Sequence, residues 1–97
     1  MEIRINVYAD CTSEEPKKSY VVRRILFKTA KELAVIKDQS AKATEAEQEG
    51  FTLKMIQAVI PESTEEDLKG VDPAELGSFF RQMGGEVSKV LQEASKN

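Results

Sequence analysis

The last quarter of the chain constrains the fold most. Asp72-Pro73-Ala74-Glu75 carries the marks of a helix start. An aspartate can accept a free backbone N–H, proline suits the first helical position, and Glu75 completes a capping box and favours the positive end of the helix dipole. Leu76, Phe80, Met83, Val87, Val90 and Ala94 then follow at steps of 4, 3, 4, 3 and 4. That is a heptad seam, widened by Phe79 and Leu91. The spacing predicts a helix over 73–94. It falls just short of three heptads, so packing as the last core helix is expected ahead of a free coiled coil. Gly84-Gly85 interrupts the pattern, at about 2 kcal/mol of helix propensity. The pair predicts a kink, a close helix crossing or a hinge.

A helix with so wide an apolar face needs partners, and the segments before it supply them. Thr44 with Glu47 matches a capping box and opens a helix predicted over 45–60. Leu53, Met55, Ile56, Val59 and Ile60 cover a broad arc of it, which implies contact with more than one neighbour. Pro61 ends it, because proline disfavours helical geometry at the residue before it. Ser63 with Glu66, or Thr64 with Asp67, caps a short turn near 64–69 that stops at Gly70. Further upstream, Leu26, Ala30, Leu33 and Ala34 share one helical face, with Val35 and Ile36 off it. A helix is predicted over 27–38. Its end is open, since Ala41 and Ala43 could carry it onward.

Before Phe27 the period changes from helical to alternating. Ile3, Ile5 and Val7 alternate with Glu2, Arg4, Asn6 and Tyr8, as a half-buried strand requires. Ser19 to Ile25 is rich in β-branched and aromatic residues and reads as a second strand. The polar stretch from Ala9 to Lys18 connects them. Residues 1–26 thus form an antiparallel hairpin. Two strands are marginal alone, so the helical part, 27–97, must cover one face. The expected fold is a single mostly α, α+β domain over 1–97: a two-stranded hairpin on three main helices and one short helical turn.

Composition narrows the function. Leu, Ile, Val and Phe make up about a quarter of the 97 residues, above the roughly 20 % below which disorder is expected. A chain this size buries only about 60–65 % of its unfolded surface, too little to enclose a deep substrate cleft. It has no histidine and one cysteine, Cys11, so the commonest general base, a thiolate zinc site and an internal disulfide framework are all excluded. No glycine-rich phosphate loop is present. Acids clustered at Glu65-Glu66-Asp67 fit the first turn of a short helix, where they favour the dipole. No catalytic, cofactor or metal residues are assigned, and a non-enzymatic binding protein is expected. No apolar run reaches membrane-spanning length and the N-terminus lacks a secretory pattern, so a cytoplasmic protein with no membrane partner is expected.

Charge is uneven. Residues 17–37 hold seven cations against Glu32, and 62–75 hold six acids against Lys69. The two stretches could pair within the fold or between copies, or remain solvated faces. Tyr20 and Phe27 among the cations suggest a nucleic-acid platform. A sequence pI near 5.0 is far from the usual value above about 9, so no nucleic-acid partner is assigned.

Several stretches together resemble a known family. They are Phe51 to Pro61, Ser63-Thr64-Glu65-Glu66-Asp67-Leu68, Val71-Asp72-Pro73-Ala74-Glu75-Leu76 and Phe79-Phe80-Arg81-Gln82-Met83, with Lys18-Ser19-Tyr20 leading to Arg23-Arg24-Ile25-Leu26-Phe27 in the front half. This pattern resembles the tail assembly chaperones of long-tailed, siphophage-type bacteriophages and prophages. The resemblance implies a protein of the host bacterial cytoplasm that binds and solubilises the tape measure protein during tail assembly. It also implies a longer form, made by ribosomal frameshifting, that recruits tail tube protein. A homo-oligomer is a further expectation. Candidate partner-binding residues are Met55, Val59, Phe79, Phe80, Met83 and Val87. Of the two phenylalanines, either both are buried or one is left exposed as an anchor. A small phage regulatory or nucleic-acid-binding protein and an unrelated helical adaptor remain the alternatives.

Overall fold

The computed structural model describes residues 2–95. Ile3–Val7 (β1) and Lys18–Val22 (β2) form a two-stranded antiparallel sheet. Ile3 faces Val22, Ile5 faces Tyr20 and Val7 faces Lys18. The helices are Phe27–Ala41 (α1), Glu45–Val59 (α2), Glu65–Lys69 (α3) and Pro73–Ser95 (α4). The fold is α+β and mostly α. Alternation in β1 has the consequence expected of it: Ile3, Ile5 and Val7 are fully buried while Glu2 and Arg4 are exposed. One face of the sheet meets α4, and α4 also packs along α1. Ile56 of α2, Ile25 before α1, and Phe79 and Met83 of α4 complete the core.

Helix α1 runs to Ala41, three residues past the predicted end at 38. The alanine that left this boundary open is its last residue, and the chain closes with the Lys42 N–H on the Gln39 carbonyl at 3.2 Å. Its inward face also differs. Ala30, Leu33 and Ile36 are the buried residues, so Ile36 belongs to the core and Leu26, half exposed, does not. Leu26 precedes the first helical turn in extended geometry, which removes it from the face that helical spacing assigns.

The caps come where the sequence places them. Glu47 accepts from the Thr44 N–H and hydroxyl at 3.2 and 2.8 Å. Asp72 Oδ1 accepts the Ala74 N–H at 2.8 Å. Glu75 lies in the first turn of α4, as predicted, but closes no capping box: its carboxylate accepts from Asn6 Nδ2 at 2.9 Å, tying that turn to β1. Gly84-Gly85 does not break α4, which is continuous from Pro73 to Ser95 with no positive φ at either glycine. Met83, Val87 and Val90 pack against the core on both sides of the pair, and that burial outweighs the propensity cost.

A polar knot joins the hairpin to α3. Of the two predicted caps, Thr64 with Asp67 forms: the Asp67 N–H donates to Thr64 Oγ1 and the Thr64 N–H to Asp67 Oδ2. Asp67 is also buried and accepts from Tyr20 Oη at 2.7 Å and Lys18 Nζ at 3.1 Å. Burial alone would raise the Asp67 pKa; the bonds from Tyr20, Lys18 and Thr64 outweigh it and hold the carboxyl below its ordinary value. One step on, Gly70 O accepts the Tyr8 N–H at 2.7 Å. A Cβ at Gly70 would lie 2.6 Å from Tyr8 O, so glycine is required there by close backbone approach, with φ at an ordinary −96°.

Candidate partner-binding groove

Three helices leave an apolar groove on the side of α4 turned away from the sheet. Leu33, Ala34 and Lys37 of α1 form one wall. Phe80, Met83, Gly84, Val87, Ser88 and Leu91 of α4 form the other, and Met55 of α2 contributes between them. The volume is about 390 Å³. Met83 and Leu33 are buried, whereas Met55, Phe80, Val87 and Leu91 are only half covered.

The groove follows from local sequence. Phe80, Met83, Val87 and Leu91 recur at helical spacing, so they form one stripe. Gly84 and Ser88 lie beside that stripe and carry little bulk, which widens the gap toward α1. On α2, the broad apolar arc serves two neighbours, as expected. Leu53 turns toward Ile5, Val7 and Tyr20 of the hairpin, and Met55 turns toward α1 and α4.

Four of the six sequence-derived candidates meet here: Met55, Phe80, Met83 and Val87. Phe79 does not. It is 1 % exposed and sits in the core, edge-on to Phe80 with ring centroids 5.7 Å apart. One residue along a helix is a rotation of about 100°, which carries Phe79 to the sheet side and leaves Phe80 at the groove. Val59 is half-buried against the core and lies off both walls. Leu33, Ala34, Lys37, Gly84, Ser88 and Leu91 were not among the candidates. Leu91 as a widener of the seam, and Leu33 with Ala34 on the α1 stripe, were the available signals.

Comparison with family models, with curated proteins and with solved structures finds no match. The chemistry of the molecule's own surfaces is then the guide. A second hollow, of about 550 Å³, lies between residues 8–17 and the start of α4. Its lining mixes Asp10, Glu66 and Asp72 with Lys17 and Lys69, so it offers no concentrated charge to a ligand. The Lys18–Tyr20–Asp67 knot is a staple: Asp67 Oδ1 takes Lys18, and Oδ2 takes both Tyr20 and the Thr64 N–H. The groove by contrast presents half-covered apolar side chains along three turns of helix. Among the described residues no helix is long and apolar enough to cross a membrane.

Proposed function

We propose that this chain is a non-enzymatic tail assembly chaperone of the long-tailed phage type. In this reading it binds the tape measure protein in the host bacterial cytoplasm and keeps it soluble until the tail tube assembles. The observation that carries the proposal is the groove beside α4, where Met55, Phe80, Val87 and Leu91 are half covered over a floor of buried Met83 and Leu33. A long helical tape measure chain has apolar stripes to cover, and an amphipathic helix laid in a groove is a recurrent way of covering them. Met55, half covered at the groove, suits a partner whose sequence varies along its length, because the unbranched thioether adapts to irregular contacts. Many copies, each bound weakly, would give high avidity and remain releasable. A frameshifted longer form would add the tail tube contact.

The test is co-expression with the longest tail gene of the same genome. The tape measure protein is expected to be soluble and to co-purify with the native chain. A Phe80→Asp variant that keeps its circular dichroism spectrum is expected to lose it. A tape measure protein that stays insoluble with both the native chain and any frameshifted form would contradict the proposal, and the groove would then suit an unrelated helical adaptor.

A further inference from the structure

Helix α4 carries a second heptad seam beside the one that meets the core. Gly77, Phe80, Gly84, Val87, Leu91 and Ala94 follow at steps of 3, 4, 3, 4 and 3, so they form one stripe. Phe80, Gly84, Val87 and Leu91 of that stripe belong to the α4 wall of the groove. The chain itself covers little of it. Beyond Met83 no described residue of α4 is buried, and Val87, Leu91 and Ala94 are half covered. The surface left open is also large for the size of the chain. A monomer of 10.8 kDa ordinarily exposes about 5,500 Å², whereas this chain exposes 6714 Å². Its radius of gyration is 14.0 Å, against about 12.5 Å for a domain of this length. The excess surface, about 1,200 Å², is more than the roughly 800 Å² that each partner gives to a standard interface.

We infer that in the free protein the groove is covered by α4 of a second copy, lying antiparallel across a two-fold axis. The stripe is complementary to itself in that arrangement, as a two-fold interface requires. Gly77 comes opposite Ala94 of the second copy, Phe80 opposite Leu91, and Gly84 opposite Val87, and the axis repeats each layer. Small residues meet at the two ends, and every large side chain between them has a facing space. Gly84 shows this best. It is exposed, and a Cβ built on it meets nothing within 4 Å. Packing within one chain therefore does not call for glycine there, and glycine weakens a helix interior. Facing Val87 of a second copy, the missing side chain is the room that valine fills. A parallel pair would set Gly84 against Gly84 and leave a void between the Phe80 and Val87 layers, which close packing disfavours. The inference concerns the free protein and stands apart from the chaperone reading. Taken together, the two mean that a partner helix displaces the second copy's α4.

Sedimentation equilibrium of the full chain over a dilution series is the test. A reversible species of twice 10.8 kDa is expected. Gly84→Leu should keep its circular dichroism spectrum, because the position is open and leucine favours helix. Its dimer Kd should rise at least about tenfold, because leucine overfills the Val87 layer. Orientation is read by oxidation in a Cys11→Ser background, which removes the exposed native thiol. Phe80→Cys and Leu91→Cys chains, mixed, should give the mixed disulfide ahead of either self-pair. In the antiparallel dimer each of these positions lies about 16 Å along the axis from its own counterpart, beyond the reach of a disulfide. The native mass and the mixed disulfide decide the matter even if Gly84→Leu misfolds. A chain that stays monomeric throughout, an assembly larger than a dimer, a folded Gly84→Leu variant that pairs as tightly as the native chain, or self-pairs in place of the mixed disulfide would each overturn the inference. If the dimer forms as described and the tape measure protein stays insoluble, only the chaperone assignment fails. If a chain that never dimerises solubilises the tape measure protein, only the pairing fails.

Discussion

The hairpin end of the molecule and the α1–α4 side are built on opposite principles. At the hairpin end the buried groups are closely partnered. Ile3, Ile5 and Val7 are buried, Asp67 is held by Lys18, Tyr20 and Thr64, and Gly70 lets two backbone segments touch. Along the groove, apolar side chains of three helices face one another without closing. Helix α4 belongs to both regions. Phe79 fills the core and its neighbour Phe80 borders the groove. A single residue step therefore separates a side chain used for stability from one available for binding.

Truncating the two phenylalanines in turn should separate the core side of α4 from its groove side. Phe79→Ala should cost about 3–5 kcal/mol, as loss of a fully buried ring does, and much of the chain should unfold at moderate urea. Phe80→Ala should cost about 1–2 kcal/mol, because half its contacts are already absent. Urea midpoints at constant m-value would measure both. Similar losses would mean that Phe80 is as much a core residue as Phe79.

The next effect belongs to the polar knot. Asp67→Ala leaves Tyr20 and the Thr64 N–H short of a partner and should cost about 1–3 kcal/mol. The knot also predicts a pH dependence. The folded carboxyl is held below its ordinary value, so its stabilisation is present above the unfolded pKa, about 3.9. It is lost as pH falls through the folded value. The native chain should therefore lose stability more steeply than Asp67→Asn as pH drops below about 4. Parallel pH profiles for the two would remove Asp67 from this role.

Smallest is the cap of α4, which starts both regions. Asp72→Ala should cost about 1 kcal/mol, a fall of roughly 4–8 °C in Tm for a domain of this size. An unchanged Tm would show that Pro73 and the Glu75–Asn6 bond hold the helix start without it.

What could be read from the sequence divides along the same line. Strands, caps and the start of α4 were legible because their signals are local: alternation in residues 2–8, Thr44 with Glu47, and Asp72 before Pro73. The Asp67 knot was not, because Lys18 and Tyr20 lie 49 and 47 residues away; the sequence offered only a cap in an acidic turn. Continuity of α4 through Gly84-Gly85 depended on packing by its flanks, which propensity does not contain. The seam at Leu76 to Ala94 predicted an apolar face but not how much of it α1 and the sheet would cover. That depends on helix placement, and it decided between Phe79 and Phe80.

In the proposed function the groove is the surface that meets a partner. Methyl NMR of the labelled chain during titration with a tape measure fragment tests this directly. The Met55, Met83, Val87 and Leu91 methyl signals are predicted to shift together, while those of Ile3 and Ile5 in the hairpin stay in place. Shifts confined to the hairpin, with the groove methyls unmoved, would contradict it.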